Sequence, residues 1–364
     1  MLLKNLCSFS KGIQIKRDLT SIDYVIPYLH YGDLYKKYNV KLNLDEIHSE
    51  IIKVDNSFYN SKYQINNNNI VMNLTSENYD DLGKCIIVKN SENKPFLAGM
   101  ETHLIKIHSS SIIPEYLNYY FESDSFLKCI QQFITGMKVF RVKPTDILNI
   151  DISLPNLQYQ QHIVDIIGSL DDKIESNNKI IDKLWQKLQL VHTDFKSKNK
   201  LVEKNILELA DIKYGKGIPT SEISKDGLYS VYGSNGIIGY LNNYTFKEHK
   251  IAISCRGNSS GIIHLTNENS TVTSNSLVLD FKNFDYTYYF FLEFMYKGLY
   301  GYKTGSAQPQ ITIDNLKILN LQVPKNINGY IKNINDSVEY TFCLKKENQK
   351  LFLLKQFYLK KFFG

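Results

Sequence analysis

Arginine is rare in this chain, and its rarity draws attention to the positions where it occurs. Lysine and arginine together number 43 among 364 residues, yet only Arg17, Arg141 and Arg256 are arginine. A guanidinium presents a planar fork of donors, so it can make two bonds at once to guanine or to a phosphate, which lysine does poorly. A structural carboxylate partner is the alternative interpretation for each of them. The three arginines are therefore candidate contacts to a nucleic acid.

Polar residues in the turns around those arginines are candidates for further contacts to phosphates and base edges. Ser234 and Asn235 lie in a glycine-rich turn that could present them to a groove. The glycines of this turn are spaced GxxGxxG, a pattern that could indicate phosphate binding, although a tight backbone turn is the favoured interpretation. The secondary candidates are Lys138, Lys143, Lys216, Ser234, Asn235, Lys303, Gln308 and Gln310.

The sequence lacks the motifs that would place catalysis in this chain. It has no GxxxxGK[ST] loop, no HExxH, no [DNS]PP[YFW] tetrapeptide and no GxGxxG that follows a strand. Its five cysteines are scattered without a CxxC pair, which argues against a zinc site or a disulfide framework and favours reduced thiols. We therefore predict a non-catalytic chain that binds no metal and no cofactor.

The overall composition is that of a globular, mildly basic protein. Hydrophobic residues make up 43% and aromatic residues 13%, and the formal net charge is +6. This charge permits a polyanionic partner without requiring one. The apolar run at the N-terminus is broken by Lys4 and Asn5, and the most apolar stretch, residues 286–296, is too short to span a bilayer. We expect a soluble, cytoplasmic protein with no membrane association.

The chain contains a twofold internal repeat. The segment GMKVFRVKPTDILNIDISLP begins at Gly136, and the similar segment GSAQPQITIDNLKILNLQVP begins at Gly305, 169 positions later. Aromatic residues at 119–121 match those at 288–290 with the same spacing. Short apolar runs of strand length surround these segments in both halves, which indicates a mixed α and β domain that occurs twice.

The repeat extends towards the start of each half, but its spacing changes there. Residues 28–32 match 229–233 at a spacing of 201, and the Lys-Gly-Ile sequence at 11–13 matches the same sequence at 216–218 at a spacing of 205. The fall from 205 to 169 predicts 36 extra residues in the first copy. We expect most of them in the polar region 35–69.

A long helical pattern follows the proline that ends each repeat. After Pro155 apolar residues recur at alternating intervals of four and three, which is the seam of a coiled coil, and a helix over residues 160–198 would be about 57 Å long. A weaker seam follows Pro324, and such a helix must pack against a partner, so we predict antiparallel pairing of the two. The predicted seam contains Ile163, Ile167, Leu170, Ile174, Asn177, Ile181, Leu184 and Leu188 in the first helix, and Val338, Asn348, Phe352 and Leu359 in the second.

These patterns together predict an α+β fold with two similar mixed α/β domains. Two long antiparallel coiled-coil helices would separate the domains, with an intramolecular pseudo-twofold axis. Two surface helices on separate cores are the alternative. Heads about 50–60 Å apart would span roughly 15 base pairs of DNA. A scaffold that clamps two protein partners would look the same. The predicted divisions are residues 1–155 for the first domain, 156–200 for the central helix, 201–324 for the second domain and 325–364 for the C-terminal helix.

The order of these parts and several short motifs resemble type I restriction–modification specificity subunits. The helix start LPNLQYQQ at 154–161 and the segment LDDKIE at 170–175 are similar to the conserved region of that family. The second half resembles a target recognition domain, with GIP at 217–219, YSVYGSNGIIGY at 229–240 and GSAQPQI at 305–311. The resemblance covers essentially the whole chain.

This resemblance implies a function and a set of partners. Each target recognition domain would read one half of a bipartite site in double-stranded DNA, and the helical pair would act as a ruler over an unread spacer. Two modification subunits would bind the conserved regions and methylate adenine with S-adenosylmethionine. Restriction subunits, which use ATP and Mg²⁺, are an optional further component. Two alternatives stay open: a protein scaffold that does not bind DNA, and an enzyme with its own nuclease or methyltransferase activity.

Overall fold

The structure is a computed structural model that describes residues 1–36, 41–44, 51–225, 227–305 and 308–364, except for the side chains of Tyr35, Lys36 and Asn333. The chain divides into two compact units. Unit 1 comprises residues 1–175 with 348–364, and unit 2 comprises residues 176–347. Part of the predicted insertion at 35–69 and two residues of the motif at 305–311 lie outside the described residues.

Unit 1 is built around one mainly antiparallel sheet with the strand order β1-β10-β6-β8-β4 among the described residues. Helix α2 begins with Pro114, which suits the first turn because the missing N–H would have no partner there. The strands are β1 (Cys7–Lys11), β2 (Thr20–Ser21), β3 (Ile26–Leu29), β4 (Lys41–Asn43), β5 (Lys53–Val54), β6 (Ile70–Asn73), β7 (Thr75–Ser76), β8 (Cys85–Lys89), β9 (Leu97–Ala98), β10 (Thr102–Ile107) and β11 (Phe140–Arg141). The short helices are α1 (Asp33–Lys36), α2 (Pro114–Glu122), α3 (Asp124–Gln131) and α4 (Pro144–Leu148).

Between the two mixed domains the chain forms α5 (Leu157–Lys198), and near its end it forms α9 (Asn328–Phe363). Unit 2 has the corresponding sheet, with the strand order β13-β19-β16-β17 in the part of the chain that the structure describes. Its strands are β12 (Leu201–Asn205), β13 (Ala210–Tyr214), β14 (Tyr229–Gly233), β15 (Gly236–Leu241), β16 (Ile251–Ser254), β17 (Ile263–Leu265), β18 (Thr271–Val272), β19 (Ser276–Phe281) and β20 (Asn320–Pro324). Its short helices are α6 (Ile206–Leu209), α7 (Asp285–Lys297) and α8 (Ile313–Lys317).

The strand registers show which residues of the two units correspond. In unit 1 the pair Cys7 and Ile107 joins β1 to β10, and in unit 2 the pair Ala210 and Phe281 joins β13 to β19. Cys7 and Ala210 are 203 positions apart, so this spacing relates the first strands of the two units. The parallel pairing of β3 with β9, and of β14 with β18, gives the same spacing, with Leu29 at the position of Tyr232.

The sequence match at the start of each repeat was therefore wrong by two residues. Gly12 corresponds to Gly215, and not to Gly217. Gly12 and Gly215 both run against a neighbouring backbone, where a Cβ would clash with a carbonyl oxygen, whereas a Cβ on Gly217 would meet nothing within 4 Å. The repeated letters Lys-Gly-Ile misled the match, whereas the strand pairing fixes it. From 203 the spacing falls to 169, so the first copy carries 34 extra residues rather than 36.

Both long helices pair antiparallel within each unit. In unit 1 the Nζ atom of Lys355 on α9 lies 2.9 Å from the Oδ1 atom of Asp171 on α5. In unit 2, Asn177 donates to Glu347 over 2.8 Å. Further along α5, the His192 Nδ1 atom lies 2.7 Å from the hydroxyl oxygen of Tyr330. As the residue number rises along α5 it falls along α9. The predicted α+β class, with two similar mixed domains and two long antiparallel helices, is confirmed.

Most of the predicted seam positions are buried or partly buried, but one is not. Phe352 is 55% exposed and does not belong to the seam, so its assignment was wrong. Lys355 is buried, because its ammonium binds carboxylates of Glu122 and Asp171 and so can occupy an interior position. The buried members are Ile163, Ile167, Asn177, Ile181, Leu188, Val338 and Leu359, and the partly buried members are Leu170, Ile174, Leu184 and Asn348.

No helix among the described residues combines the length and the apolar character needed to cross a lipid bilayer.

Candidate nucleic-acid interface

A closed loop in unit 2 carries several of the predicted contact residues. The backbone N–H of Thr304 donates to the carbonyl of Gln310 over 2.9 Å, and the N–H of Gln310 donates back over 2.8 Å. Gly305 adopts a φ of +87°, and a Cβ there would lie 2.8 Å from the carbonyl oxygen of Gln308. Only glycine fits this turn without strain. The loop leaves the side chains of Gln308 and Gln310 exposed.

Unit 1 contains the same loop at the spacing that the sequence repeat predicts. Thr135 and Arg141 exchange two backbone hydrogen bonds of 2.9 Å each. Gly136 adopts a φ of +104°, and a Cβ on it would clash with the carbonyl oxygen of Val139. Arg141 therefore takes the position that Gln310 has in unit 2. Lys138 and Lys143 lie in or directly after this loop and are exposed, so the structure brings three predicted basic residues together.

Each loop pairs with a second segment, and an arginine occurs once in each pairing. In unit 1 the residue that faces Arg141 is Thr75 of β7. In unit 2 the residue that faces Gln310 is Arg256. Thr75 and Arg256 are equivalent, as the residues that follow the two loops show. Val142 donates to the carbonyl of Leu74, which precedes Thr75, and Ile311 donates to the carbonyl of Cys255, which precedes Arg256. The two units thus place their arginine on opposite members of the same pair.

Neither arginine has a carboxylate partner in the part of the chain that the structure describes. Arg141 and Arg256 are both exposed, and neither takes part in an ion pair with a described residue. The alternative interpretation, in which these side chains serve as structural ion-pair partners, finds no support in this geometry. A guanidinium that is exposed and unpaired keeps all five of its donors for an external acceptor.

Three turns of unit 2 meet around Arg256. The Oγ of Ser259 donates to the Oδ1 of Asn235 over 2.5 Å, which joins the turn before β15 to the segment after Arg256. The Oγ of Ser260 donates to the carbonyl of Pro309 over 2.7 Å, which joins the same segment to the closed loop. We define the unit 2 patch as Ser234, Asn235, Arg256, Lys303, Gln308 and Gln310.

Lys303 and Ser234 lie at the borders of this patch. The Lys303 ammonium sits over the ring of Tyr300, 4.4 Å from its centroid, and its side chain passes beside Gly261. The Oγ of Ser234 donates to the carbonyl of Asn275 over 3.3 Å. These contacts orient the side chains of Lys303 and Ser234. They leave the outer face of the patch polar and hold the Lys303 ammonium in place.

Lys216 lies outside the patch, at a cavity of about 500 Å³ in unit 2. Its backbone donates to the carbonyl of Val272 and accepts from Ser274. Lys213 and Lys250 of the same cavity both bind Asp280, at 3.1 and 2.7 Å. Lys216 has no ion-pair partner among the described residues, so its ammonium is available to an anion. The other lining residues are Tyr214, Thr245, Phe246, Lys247 and Glu248.

Arg17 stands apart from the other predicted residues. It lies in a single 3-10 turn, Arg17–Leu19, and is exposed. Within the described residues, no hydrogen bond joins this turn to the closed loop that carries Arg141. The structure therefore does not bring Arg17 into the same group as Lys138, Arg141 and Lys143.

Sequence reasoning missed residues that the folded chain places at these surfaces. Asn258 and Asn275 are exposed beside Arg256 and Ser234, and Glu101 lies next to Thr75 in unit 1. Asn258 could have been found from the sequence, because it lies in the polar run that follows Arg256. No sequence pattern singles out Asn275 or Glu101, and only the strand register reveals that these two residues occupy equivalent positions.

No cluster of histidine, cysteine or carboxylate side chains with the makings of a metal site occurs among the described residues. The clustered charges instead join the long helices to the mixed domains. In unit 1 burial raises the pKa of Glu122 to about 7. In unit 2 burial opposes the charge of Glu293, but hydrogen bonds from His192, Lys196 and Lys297 hold its pKa well below its usual range. These groups are internal anchors and do not lie at the recognition loops.

Comparisons with known proteins agree with this arrangement. The sequence model of the family described as "Type I restriction modification DNA specificity domain" matches residues 1–186 and 199–355. The solved S subunit of a type I restriction–modification system from M. genitalium is similar to the whole chain, with 17% identity, 95% of its own length covered and a TM-score of 0.57. At this identity the likeness shows the fold.

Two further solved structures are similar at lower scores. The HsdS subunit from Thermoanaerobacter tengcongensis has 16% identity and a TM-score of 0.36, and a chain from a study of the assembly and conformational transition of the type I system has 16% identity and a TM-score of 0.40. Each comparison covers 100% of this chain and 96% of the other. No curated protein matches the chain. Because the family model matches in two copies over most of its length, the chain belongs to the type I restriction–modification DNA specificity family, whose members recognise DNA sequence.

Proposed function

We propose that this chain reads a bipartite DNA site, with each mixed domain contacting one half. The observation that carries the proposal is the pair of closed loops, which have the same backbone bonding in both units. Arg141 lies in the loop of unit 1, Arg256 faces the loop of unit 2, and neither has an ion-pair partner among the described residues. Arginine that is free of internal partners suits bidentate contact with guanine in the major groove. Two equivalent readers in one chain suit a site with two halves.

The proposed contacts fall into two groups. Arg141 in unit 1 and the unit 2 patch would reach base edges, because they lie on loops fixed by backbone hydrogen bonds. The exposed lysines would contact phosphates and so provide affinity without sequence preference. This second group comprises Lys138, Lys143 and Lys216, together with Arg17.

The two long helices would fix the distance between the half-sites. Helix α5 has 42 residues, Leu157–Lys198. At about 1.5 Å per residue this is roughly 63 Å of helix. Its buried polar contacts to α9 specify one register, since a shifted pairing would leave charges buried without partners. We keep residues 1–155 and 201–324 as the recognition domains, and 156–200 and 325–364 as the connecting helices.

An exposed apolar surface on α9 supports the docking of modification subunits on the helices. Phe352, Leu353 and Phe357 are 55%, 64% and 59% exposed, and Leu354 is 41% exposed. An apolar cluster of this kind on a helix is typical of a protein interface. We propose that two modification subunits bind at the helices and supply adenine methylation with S-adenosylmethionine, that restriction subunits with ATP and Mg²⁺ are an optional addition, and that this chain is itself non-catalytic and cytoplasmic.

The test is the methylation pattern of cells that express this chain with its modification subunits. We expect adenine methylation at one bipartite motif with a spacer of fixed length. The purified chain alone should show neither methyl transfer with S-adenosylmethionine nor DNA cleavage with Mg²⁺. Methylation at a continuous site, or activity of the chain alone, would contradict the proposal. DNA binding that is insensitive to salt would favour the scaffold alternative instead.

A further inference from the structure

The turn between β9 and β10 places a glutamate beside the arginine loop of unit 1. Thr102 of β10 pairs with Asn73, and the equivalent pair in unit 2 is Ser276 with Ser254. Glu101, which precedes Thr102, therefore occupies the position of Asn275. In unit 2 this position borders the patch, because the carbonyl of Asn275 accepts from Ser234.

Two neighbouring side chains hold the Glu101 carboxylate in place. The Nε2 of Gln14 donates to its Oε1 over 3.1 Å, and the Lys11 ammonium lies 3.4 Å from the same oxygen. The side chain of Thr75 lies near enough to help lower the pKa of the Glu101 carboxyl. Thr75 is the residue that faces Arg141, so the carboxylate and the arginine are both neighbours of one threonine. Only 25% of the Glu101 side chain remains exposed.

The backbone at Glu101 is in a conformation that a glutamate rarely adopts. Its φ is +55°, in the left-handed region. A residue held there is strained, and the conformation persists where the surrounding structure requires it. Asn275 at the equivalent position has no positive φ. The strain therefore belongs to unit 1 alone and presents this one side chain at the corner of the turn.

Glu101 keeps its negative charge at the surface that should meet DNA. Burial works against the charge, but hydrogen bonds from Thr75 and Gln14 and the charge of Lys11 lower the pKa of the carboxyl. An ionised carboxylate only accepts hydrogen bonds, and it repels phosphate. The groups in DNA that it can usefully meet are the exocyclic amino groups of the bases. Cytosine presents one in the major groove, next to the acceptors of its paired guanine.

Building on the proposed function, we propose that Glu101 and Arg141 together read one C·G base pair in the half-site of the first domain. Glu101 accepts from the N4 amino group of cytosine. Arg141 donates to O6 and N7 of the guanine in the same pair. Arg141 makes no ion pair with Glu101 within the described residues, so both groups keep the capacity that the base pair needs.

The experiment compares Glu101→Gln with wild type in the complex assembled with modification subunits. The methylated motif of the wild type supplies the duplex, and a variant such as Arg256→Ala identifies the half-site of the second domain. Binding is then measured to duplexes with every base pair substituted in turn. We expect Glu101→Gln to lose about tenfold or more of the discrimination at one C·G pair of the first half-site. Glu92→Gln, at an exposed glutamate paired with Lys94, is the matched control and should keep the wild-type profile.

A second arm changes the DNA and keeps the wild-type protein as its main readout. A cytosine analogue without the N4 amino group is placed in the same duplex and tested with wild type. Weaker binding by wild type, with no further loss in Glu101→Gln, supports the contact. An unchanged preference at every position in Glu101→Gln, or wild-type binding that ignores the analogue, overturns it and leaves Glu101 with a structural role. Failure of the proposed function looks different, since wild type would then have no bipartite motif at all.

Discussion

The two units use one backbone frame for two different sets of side chains. Both closed loops have a glycine with positive φ and a threonine bonded twice to the residue six positions later. In unit 1 that residue is Arg141 and faces Thr75, whereas in unit 2 it is Gln310 and faces Arg256. The frame is set by backbone hydrogen bonds, which any sequence can make. The side chains are therefore free to differ, and we infer that the difference between the two half-sites lies in them.

The attachment of the long helices shows the same contrast. Tyr119 of unit 1 donates to Asp171 on α5 over 3.0 Å, and the equivalent Tyr288 of unit 2 donates to Glu339 on α9 over 2.5 Å. The side chain beside the carboxylate differs, because Asp171 has the ammonium of the buried Lys355 and Glu339 has the imidazole of His249 at 3.3 Å. The tyrosine anchor is common to both units, and the side chain that completes it is not.

The largest effect is expected where unit 1 depends on a single buried cation. Lys355→Ala would leave Glu122 and Asp171 without their ammonium, and we expect a loss of about 3–5 kcal/mol in the free energy of unfolding. Denaturant unfolding of the full chain measures this loss. Lys360→Ala, at an exposed position of the same helix, should change the value by less than about 0.5 kcal/mol. Equal effects of the two substitutions would show that the buried cluster does not stabilise unit 1.

The glycine turns should each control one half-site. Gly136→Ala places a Cβ against the Val139 carbonyl at a φ of +104°, so it should displace the loop that carries Arg141. We expect specific binding to fall by about 5- to 150-fold through the first half-site alone, the range for a lost bidentate contact. Gly305→Ala should do the same for the second half-site. Gly301→Ala, where nothing lies within 4 Å, is the control and should bind like wild type.

Two buried carboxylates should give opposite dependences of stability on pH. The folded-state pKa of Glu122 is raised to about 7 by burial, so its contribution is complete below the ordinary value of 4.5 and is lost as pH rises through 7. The pKa of Glu293 is lowered, so its contribution is present above 4.5 and is lost as pH falls. In the wild type, the Glu122 carboxyl should make the free energy of unfolding fall by about one kcal/mol or more for each pH unit between pH 5 and 7. Glu122→Gln should remove this dependence on pH. Glu293→Gln should change the dependence of stability on pH only in acid, and a change of the same sign for both would contradict the comparison.

The smallest effect on stability is expected on the exposed face of α9. Leu353→Ser removes an apolar side chain that is 64% exposed, so the free energy of unfolding should change by no more than about 0.5 kcal/mol. The affinity of the variant for the modification subunits should nonetheless fall, and analytical ultracentrifugation of the mixture measures this. Unchanged assembly would show that those subunits bind elsewhere on the chain.

Sequence alone could predict the features that local patterns encode. The heptad spacing predicted α5, and the repeated glycine turn led to Arg141 and Gln310 at equivalent positions. It failed where a distant residue decides the outcome. Lys355 is buried because Glu122, far away in the chain, supplies its counter-charge, whereas the apolar Phe352, which was assigned to the seam, is exposed. Glu101 has no motif, and only the pairing of β10 with β6 reveals its equivalence to Asn275.

The most direct test of the account is the methylated motif of complexes that carry Arg141→Ala or Arg256→Ala. Each substitution removes the unpaired guanidinium of one unit and leaves the backbone frame in place. We predict that Arg141→Ala relaxes the base preference of one half-site and Arg256→Ala that of the other, while the spacer length stays the same in both. If both substitutions altered the same half-site, or neither altered any base preference, the assignment of one reading head to each unit would be wrong.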